Sequence, residues 1–319
     1  MYKVQGDTVT GKPMVDRFGV RAYPTFVALN AQGELLHSWL GYGQPEPWVK
    51  RMQEIKADPI SVDARKSRHD ATPTFRDALV LGQVALGGSD YVEAERRFQE
   101  ASDLDPEAAG EENVPIQLFR AAYFGAGTGD VTIEHAVEVA TGLLESPDVK
   151  PAHVLEVTER LARAVDKIGT EMLVPFLQMA HPQIEPLEDE DLQSRREKFL
   201  IEYALFAESD TEKAVRMKKG TLPDGWESDP DELNGFAWWC FERKVNLEEA
   251  EALAQNGVDL TPPGSSQANV IDTLAQIVYL RGDQQRATEL IRQALEMDPE
   301  NEYLKEQIKK FTGVSESHM

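Results

Sequence analysis

The feature that most constrains this 319-residue chain is a helical pattern that occurs three times, each time closed by a proline. The three copies cover residues 75–108, 231–264 and 268–301, and their closing prolines are Pro106, Pro262 and Pro299. A period of about 34 residues is typical of units built from two antiparallel helices. One such unit cannot bury its apolar face alone, so neighbouring units must stack. The pattern therefore predicts a stacked helical array rather than one round core.

Small residues recur where the two helices of each copy would meet, and they let the backbones approach closely. They are Ala94, Ala101, Ala250, Gly257, Ala287 and Ala294. The closing prolines end each second helix, because proline has no backbone N–H to continue it. This pattern resembles tetratricopeptide repeats, more closely in 75–108 and 268–301 than in 231–264.

The intervening stretch, 111–225, is helical in pattern but repeats less clearly. Candidate helices lie at 116–124, 133–144, 152–168 and 192–208, and whether they form true repeats stays open at this point. The glycine-rich run 125–129 follows a helix and not a strand, which favours a turn over a phosphate-binding loop.

The N-terminal residues have a β-like pattern instead. Residues 25–29 and 35–40 are short apolar runs, and 30–33 between them supplies turn residues, so a hairpin is predicted. A helix with an apolar stripe follows from Pro45.

Residues 17–29 (RFGVRAYPTFVAL) and 33–42 (GELLHSWLGY) resemble the C-terminal half of a thioredoxin-fold domain. The resemblance implies that Pro24 is that family's cis-proline and that Tyr23, Pro24 and Thr25 would contact substrate. The family's Cys-x-x-Cys half is missing, because only 16 residues precede Arg17 and none is cysteine. Half a domain of this kind is marginal alone, so residues 1–58 are expected either to belong to a longer chain or to pack on the helical region.

Together the two patterns resemble bacterial thioredoxin-family proteins with C-terminal tetratricopeptide repeats. The expected fold is mainly α: a partial thioredoxin-like α/β segment, then a tetratricopeptide-like superhelix. The predicted divisions are a half-domain at 1–58, a linker at 59–73, a repeat at 74–110, degenerate helices at 111–225, and a C-terminal repeat pair with a terminal helix and short tail at 226–319.

The formal net charge of −23 limits the kinds of molecule that the protein is expected to bind. Nucleic-acid binding and anionic membrane surfaces both require basic patches, so neither is expected. A protein or peptide partner of basic or mixed charge suits this field better. The compartment stays open: cytoplasmic as written, periplasmic or secreted if the native chain begins upstream. The oligomeric state stays open too.

Cysteine and histidine usage argues against metal and redox chemistry in this chain. Cys240 is the single cysteine, so no internal dithiol exists, and its apolar neighbours favour a packed, inert thiol. The six histidines show no metal-binding spacing. No metal, no cofactor and no catalytic residue is predicted.

Ligands of tetratricopeptide repeats usually lie in a groove lined by the first helix of each repeat. The resemblance places the following residues there: Arg76, Leu79, Gln83, Glu232, Trp239, Glu242, Asn269, Asp272, Gln276 and Tyr279. Leu79 and Asp272 stand where members that clamp acidic tails carry lysines, so acidic tails are not expected as ligands.

The preferred interpretation is a non-catalytic scaffold that binds a partner protein or peptide in this groove. The alternative is an N-terminally shortened thiol–disulfide oxidoreductase or related chaperone. A third possibility is an architectural subunit whose own middle helices fill the groove. Two cysteines upstream of Met1 would favour the second of these over the first.

Overall fold

The computed structural model describes residues 4–6, 8–9, 11–21, 23–41 and 45–313. The described residues are mainly α-helical, which confirms the predicted fold class at that level. The chain divides into two compact units, unit 1 (Met1–Glu188) and unit 2 (Asp189–Met319). No described helix is both long enough and apolar enough to cross a membrane.

Unit 1 begins with a short hairpin and continues as helices. Its elements are α1 (Lys12–Arg17), β1 (Thr25–Leu29), β2 (Leu35–Leu40), α2 (Pro45–Ala57), α3 (Val62–Ala71), α4 (Phe75–Gly87), α5 (Tyr91–Leu104), α6 (Pro106–Glu111), α7 (Val114–Thr128), α8 (Ile133–Leu144), α9 (Pro151–Arg163), α10 (Val165–Ile168) and α11 (Thr170–Ile184).

Unit 2 is helical throughout its described residues. Its α-helices are α12 (Gln193–Glu202), α13 (Thr211–Gly220), α14 (Pro230–Arg243), α15 (Leu247–Leu260), α16 (Ser265–Leu280), α17 (Gln284–Met297) and α18 (Glu302–Thr312). A single π-helical segment, Tyr203–Ala207, follows α12.

The predicted hairpin forms with the predicted strand bounds. β1 and β2 pair antiparallel, with Phe26 opposite Trp39, and a register shift falls next to Leu29. The rings of Phe26 and Trp39 stack at 5.4 Å between centroids. The peptide bond between Tyr23 and Pro24 is cis. The thioredoxin-like origin of this hairpin stays a prediction.

The hairpin packs on α4, and glycine makes that contact close. A Cβ atom on Gly87 would lie 2.9 Å from the Ser38 carbonyl oxygen, closer than such contacts normally come. The Ser38 hydroxyl donates to the Val84 carbonyl at 3.4 Å. The hairpin therefore does not stand apart from the helical region, because its strand β2 packs on α4.

Residues 59–73, predicted as a linker, instead contain helix α3. Ser61 caps it by accepting from the Ala64 N–H. Arg65 and Arg68 both bind the fully buried Asp77 carboxylate of α4, Arg65 at 2.7 Å and Arg68 at 2.5 Å. The polar composition that suggested a linker belongs to this ion network, which joins α3 to α4.

The three repeats fold as the predicted helical hairpins, α4–α5, α14–α15 and α16–α17. Glycines allow close contacts both within and between the hairpins. A Cβ on Gly82 would lie 2.7 Å from the Phe98 ring of the paired helix α5, and one on Gly257 would lie 3.1 Å from Val270 of α16 in the next hairpin. In unit 2 the apolar core runs through both hairpins to Leu304 and Phe311 of α18.

The middle region is helical, as its pattern indicates, but two of its helices lie outside the four candidate segments. These are α11, which holds Pro175 and Pro182 inside it, and α13. The predicted helix 152–168 is two helices that meet at Ala164. The glycine-rich run, predicted as a turn, is the last turn of α7 up to Thr128, and Gly129 then ends the helix with φ 84°.

Candidate binding surfaces

On α4, two predicted groove residues contact the N-terminal elements of the same chain. The Arg76 guanidinium lies 3.0 Å from the Glu54 carboxylate of α2. The Gln83 side-chain oxygen lies 3.2 Å from Nε2 of His37 on β2. Leu79 between them is fully buried. The predicted groove face of α4 is therefore occupied by β2 and α2.

His37 belongs to that covered face and is itself buried. Its Nδ1 lies 2.9 Å from its neighbour's carbonyl oxygen, that of Ser38. Burial, and then the positive charge of Arg51, lowers the pKa of His37 from 6.5 to about 4. The imidazole is therefore neutral near neutral pH, as a buried contact between β2 and α4 requires.

On α14, the predicted residues divide between packing and exposure. Trp239 is half-buried, and its ring lies 6.0 Å from that of Phe236, which is part of the core of unit 2. It also packs on the small cluster around Ala204. Glu232 is half-buried, whereas Glu242 is exposed. Trp239 is thus mainly a packing residue, and Glu242 is available to a ligand.

On α16, the predicted residues Asp272 and Gln276 form a polar network with α18. The Asp272 carboxylate accepts from the Gln276 amide at 3.2 Å and from the Tyr303 hydroxyl at 3.3 Å. The Gln276 amide also donates to Gln307 at 2.8 Å, and its oxygen accepts from the Lys310 ammonium at 3.2 Å. Asp272 and Gln276 are buried, while Tyr303 and Lys310 are exposed at the edge.

Burial determines the electrostatics of this network. It raises the pKa of Asp272, partly offset by the hydrogen bonds from Gln276 and Tyr303. Burial, and then the nearby Asp272 charge, raises the pKa of Tyr303 to about 12. The Tyr303 hydroxyl therefore keeps its proton and acts as a hydrogen-bond donor to Asp272.

An aromatic pair continues this surface. The Tyr279 ring stacks on Phe311 of α18 with centroids 4.5 Å apart and planes 17° apart. The Lys310 ammonium lies over both rings, at 5.9 Å from Tyr279 and 5.6 Å from Phe311. Asn269, one turn from the start of α16, is exposed.

Sequence reasoning missed Tyr303, Gln307 and Lys310. The sequence could have indicated them through the repeat length. The last repeat begins at Ala268, and counting about 34 residues from there reaches Glu302, the first residue of α18. α18 thus lies where the first helix of another repeat would begin. It had been predicted only as a terminal helix.

Tyr23, Pro24 and Thr25 lie at the start of β1 in unit 1. Tyr23 is 65% exposed, and Pro24 and Thr25 are half-buried. The Pro24 carbonyl accepts from the Gly41 N–H at 2.9 Å, which closes the open end of the hairpin. Their predicted substrate contact stays a prediction.

Cys240 is fully buried in the core of unit 2. Burial raises its pKa to about 12, so it holds its proton and is a poor nucleophile at neutral pH. Among the residues that the structure describes, no three His, Cys, Asp or Glu side chains come together as metal ligands.

The chain was compared with protein-family models, curated proteins and solved structures. No protein-family model matches it, and no curated protein matches it. Among solved structures it is similar to a chain of the APC/C Cut9–Hcn1 hetero-tetramer, with a TM-score of 0.41 and 16% identity over 78% of this chain. It spans 45% of the length of that chain.

It is also similar to a tetratricopeptide repeat protein from Parabacteroides merdae ATCC 43184. The TM-score is 0.37 and the identity 15%, over 75% of this chain and 98% of that one.

Proposed function

We propose that this chain is a non-catalytic interaction scaffold that binds a partner protein or peptide along the first helices of unit 2. The surface involved, here called the first-helix surface, comprises the exposed residues Glu242 of α14, Asn269 of α16, and Tyr303 and Lys310 of α18. The observation that carries the proposal is the hydrogen-bonded network that joins α16 to α18 beneath it.

That network supports binding because it holds the surface in one arrangement before a ligand arrives. Side chains already ordered lose less conformational entropy on binding. Tyr303 offers an aromatic ring with a polar tip, a combination enriched at interfaces. Lys310 and Glu242 add one charge of each sign.

The expected ligand is a peptide of basic or mixed charge. Unit 2 belongs to a chain whose net charge is −23, so long-range attraction favours positively charged segments. Lys310 is the local exception, and it favours a ligand that also presents an acceptor or a carboxylate.

The alternative function, a shortened thiol–disulfide oxidoreductase, has less support. Disulfide exchange needs an accessible thiolate, whereas the thiol of Cys240 is buried with its pKa raised to about 12. Insulin reduction measured with the purified chain tests whether this sequence catalyses disulfide exchange by itself, and robust turnover would refute the non-catalytic function.

The scaffold function is tested by selecting peptides on the full chain from a library of random dodecapeptides. We expect the selected peptides to carry net positive charge. Reversal of one charge on the surface, Glu242→Lys, should weaken them about ten-fold, which corresponds to about 1.4 kcal/mol. Isothermal titration calorimetry gives the affinities.

Glu296→Lys is the matched control, since Glu296 is an exposed glutamate on the second helix α17. It changes the net charge equally without touching the first-helix surface, so we expect affinity within about two-fold of the parent, a difference well under 1.4 kcal/mol. Equal losses for the two variants would mean that only the overall charge matters, and would refute the proposed surface.

A further inference from the structure

A recess lies within unit 1, and it is lined by none of the residues named for the proposed function. The end of α7 meets the first residue of α5 and the break between α9 and α10 around a recess of about 330 Å³. This volume lies at the lower end of the range, about 300–1,000 Å³, of small-molecule sites. We call it the α7–α10 recess.

The wall of the α7–α10 recess is aromatic. Tyr91 of α5, Tyr123 and Phe124 of α7 all line it. The Phe124 ring lies 5.9 Å from that of Tyr91 and 5.9 Å from that of Tyr123, the latter at a 71° angle. These spacings fall in the favourable range for aromatic pairs, so a further flat ring can join the cluster.

The aromatic wall is held in place by Arg160. Its guanidinium lies 4.8 Å from the Phe124 centroid, and the Tyr123 hydroxyl donates to its backbone carbonyl at 3.1 Å. The Arg160 guanidinium also lies 3.1 Å from the Glu156 carboxylate. Glu156 accepts two further hydrogen bonds from Arg120, at 2.7 and 2.8 Å, so the two arginines share this one carboxylate. Arg160 therefore orders the wall through its contacts with Phe124 and Tyr123.

Two other cations, unlike Arg160, line the recess itself. Arg163 ends α9, and Lys167 lies four residues further on, in α10. Both are exposed, and within the described part of the chain no carboxylate forms an ion pair with either. The nearby Asp130 carboxylate instead accepts from the Thr128 hydroxyl at 2.6 Å.

We propose that the α7–α10 recess binds an aromatic carboxylate, with its ring against Tyr91, Tyr123 and Phe124 and its negative charge at Arg163 and Lys167. Hydrogen bonds between ions are about twice as strong as neutral ones, which makes the carboxylate the recognised group. The ring supplies the apolar contact area. The ligand is either a free small molecule or a peptide that ends in an aromatic residue.

Gly127 allows the recess to be filled without disturbing the fold. It lies in the last turn of α7, and a Cβ there would meet no atom within 4 Å. Since Gly127 lines the recess, a leucine side chain at this position would extend into open space that the ligand needs. Gly142 of α8 is a matched control, because it is also helical, exposed and free of neighbours within 4 Å, but lies outside the recess.

The experiment titrates the full chain with hydrocinnamate and, separately, with its uncharged amide. We expect hydrocinnamate to bind and the amide to bind about ten-fold more weakly. A lysine-rich peptide ending in phenylalanine, with a free or an amidated C-terminus, is titrated in parallel. If hydrocinnamate binds more tightly than the peptide with the free C-terminus, the ligand is a free small molecule. If the peptide binds more tightly, the ligand is a peptide that ends in an aromatic residue.

Variants assign the binding to the recess. Arg163→Glu and Gly127→Leu should each weaken the acid by about ten-fold or more. Lys66→Glu, at an exposed cation of α3, and Gly142→Leu should leave the affinity unchanged. Thermal unfolding of all four variants verifies that each is folded.

Three results would overturn the inference. One is that neither free acid binds. Another is that acid and amide bind equally, which would mean that the two cations recognise nothing. The third is that Gly127→Leu and Gly142→Leu have the same effect. None of these outcomes bears on the first-helix surface, which lies in unit 2.

Discussion

The hairpins α4–α5 and α16–α17 are the two most alike in sequence, yet their first helices present different surfaces. Gln83 and Gln276 occupy the same position in their repeats. Gln83 contacts His37 of the N-terminal hairpin, whereas Gln276 bonds to Gln307 and Lys310 of α18. The face of α4 is covered by β2 and α2, while α16 and α18 leave Asn269, Tyr303 and Lys310 exposed.

The difference teaches that the repeat pattern specifies a helical hairpin but not the surface it offers. Small residues and closing prolines are enough to build two packed helices. Whether the first helix is free for a ligand depends on the element that packs on it next, and that element differs between the two units.

The largest expected effect comes from breaking the ion network that joins α3 to α4. Asp77 is fully buried and neutralises Arg65, itself only 3% exposed. Asp77→Asn leaves the buried guanidinium with only the partly exposed Asp58 carboxylate, 3.0 Å away, so we expect the free energy of unfolding to fall by about 3 kcal/mol, the lower end of the cost of breaking a buried ion pair. Urea denaturation measures it. Asp103→Asn, at an exposed residue of α5, is the control, and an equal loss there would contradict the network's role.

Acid should next weaken the covered face of α4. The folded protein binds fewer protons at His37 than the unfolded chain, because its pKa falls from 6.5 to about 4. The contribution of neutral His37 to the free energy of unfolding is thus complete above pH 6.5. It is lost as the pH falls towards 4, by up to about 3 kcal/mol. When the free energy of unfolding is measured by urea denaturation at several pH values between 4 and 7, it should change less with pH in His37→Gln than in the parent. An equal pH dependence in the two proteins would refute the assignment of this effect to His37.

A side chain at Gly87 should push β2 away from α4. Its Cβ would lie 2.9 Å from the Ser38 carbonyl oxygen and 3.1 Å from the Trp39 Cα. We expect Gly87→Leu to reduce the free energy of unfolding by about 1–3 kcal/mol, as overpacking does. Gly142→Leu, which meets nothing within 4 Å, is the control. The equivalent residue of α16 is already a leucine, Leu280, which is 39% exposed, and no described strand packs on that helix.

The smallest effect is expected in unit 2. Tyr303→Phe removes the hydroxyl that donates to Asp272 at 3.3 Å. One hydrogen bond to a partly buried acceptor contributes about 1 kcal/mol, and losing it should raise the pKa of Asp272 further. Tyr279→Phe is the matched control, because Tyr279 contacts α18 through its ring, which the substitution keeps. A larger loss for Tyr279→Phe than for Tyr303→Phe would contradict the network as described.

Local patterns predicted much of the fold. Short apolar runs separated by turn residues predicted both strands of the hairpin, and the repeat pattern predicted the three helical hairpins, because both signals depend on neighbouring residues. No candidate segment covered α11, and the prolines inside it, Pro175 and Pro182, are residues that usually end a helix. The polar residues of α3 suggested a linker because their partner, Asp77, lies on another helix.

The candidate site was predicted in part. Repeat position alone identified Asp272, Gln276 and Tyr279, which the structure brings together with α18. It could not reveal that Arg76 and Gln83 contact other parts of the same chain, because Glu54 and His37 reach them only through tertiary packing. It placed Trp239 in the groove, although the ring packs mainly on Phe236 and its neighbours.

Site-specific cross-linking tests the central comparison most directly. Arg76 and Asn269 are the second residues of their repeats, and either can be replaced by a cysteine that carries a benzophenone. Cys240 does not interfere, because it is buried with its pKa raised to about 12. With a peptide selected on the parent chain, we expect cross-links from Asn269→Cys and none from Arg76→Cys. Cross-links from Arg76→Cys alone would show that the wrong helix has been assigned as the binding surface.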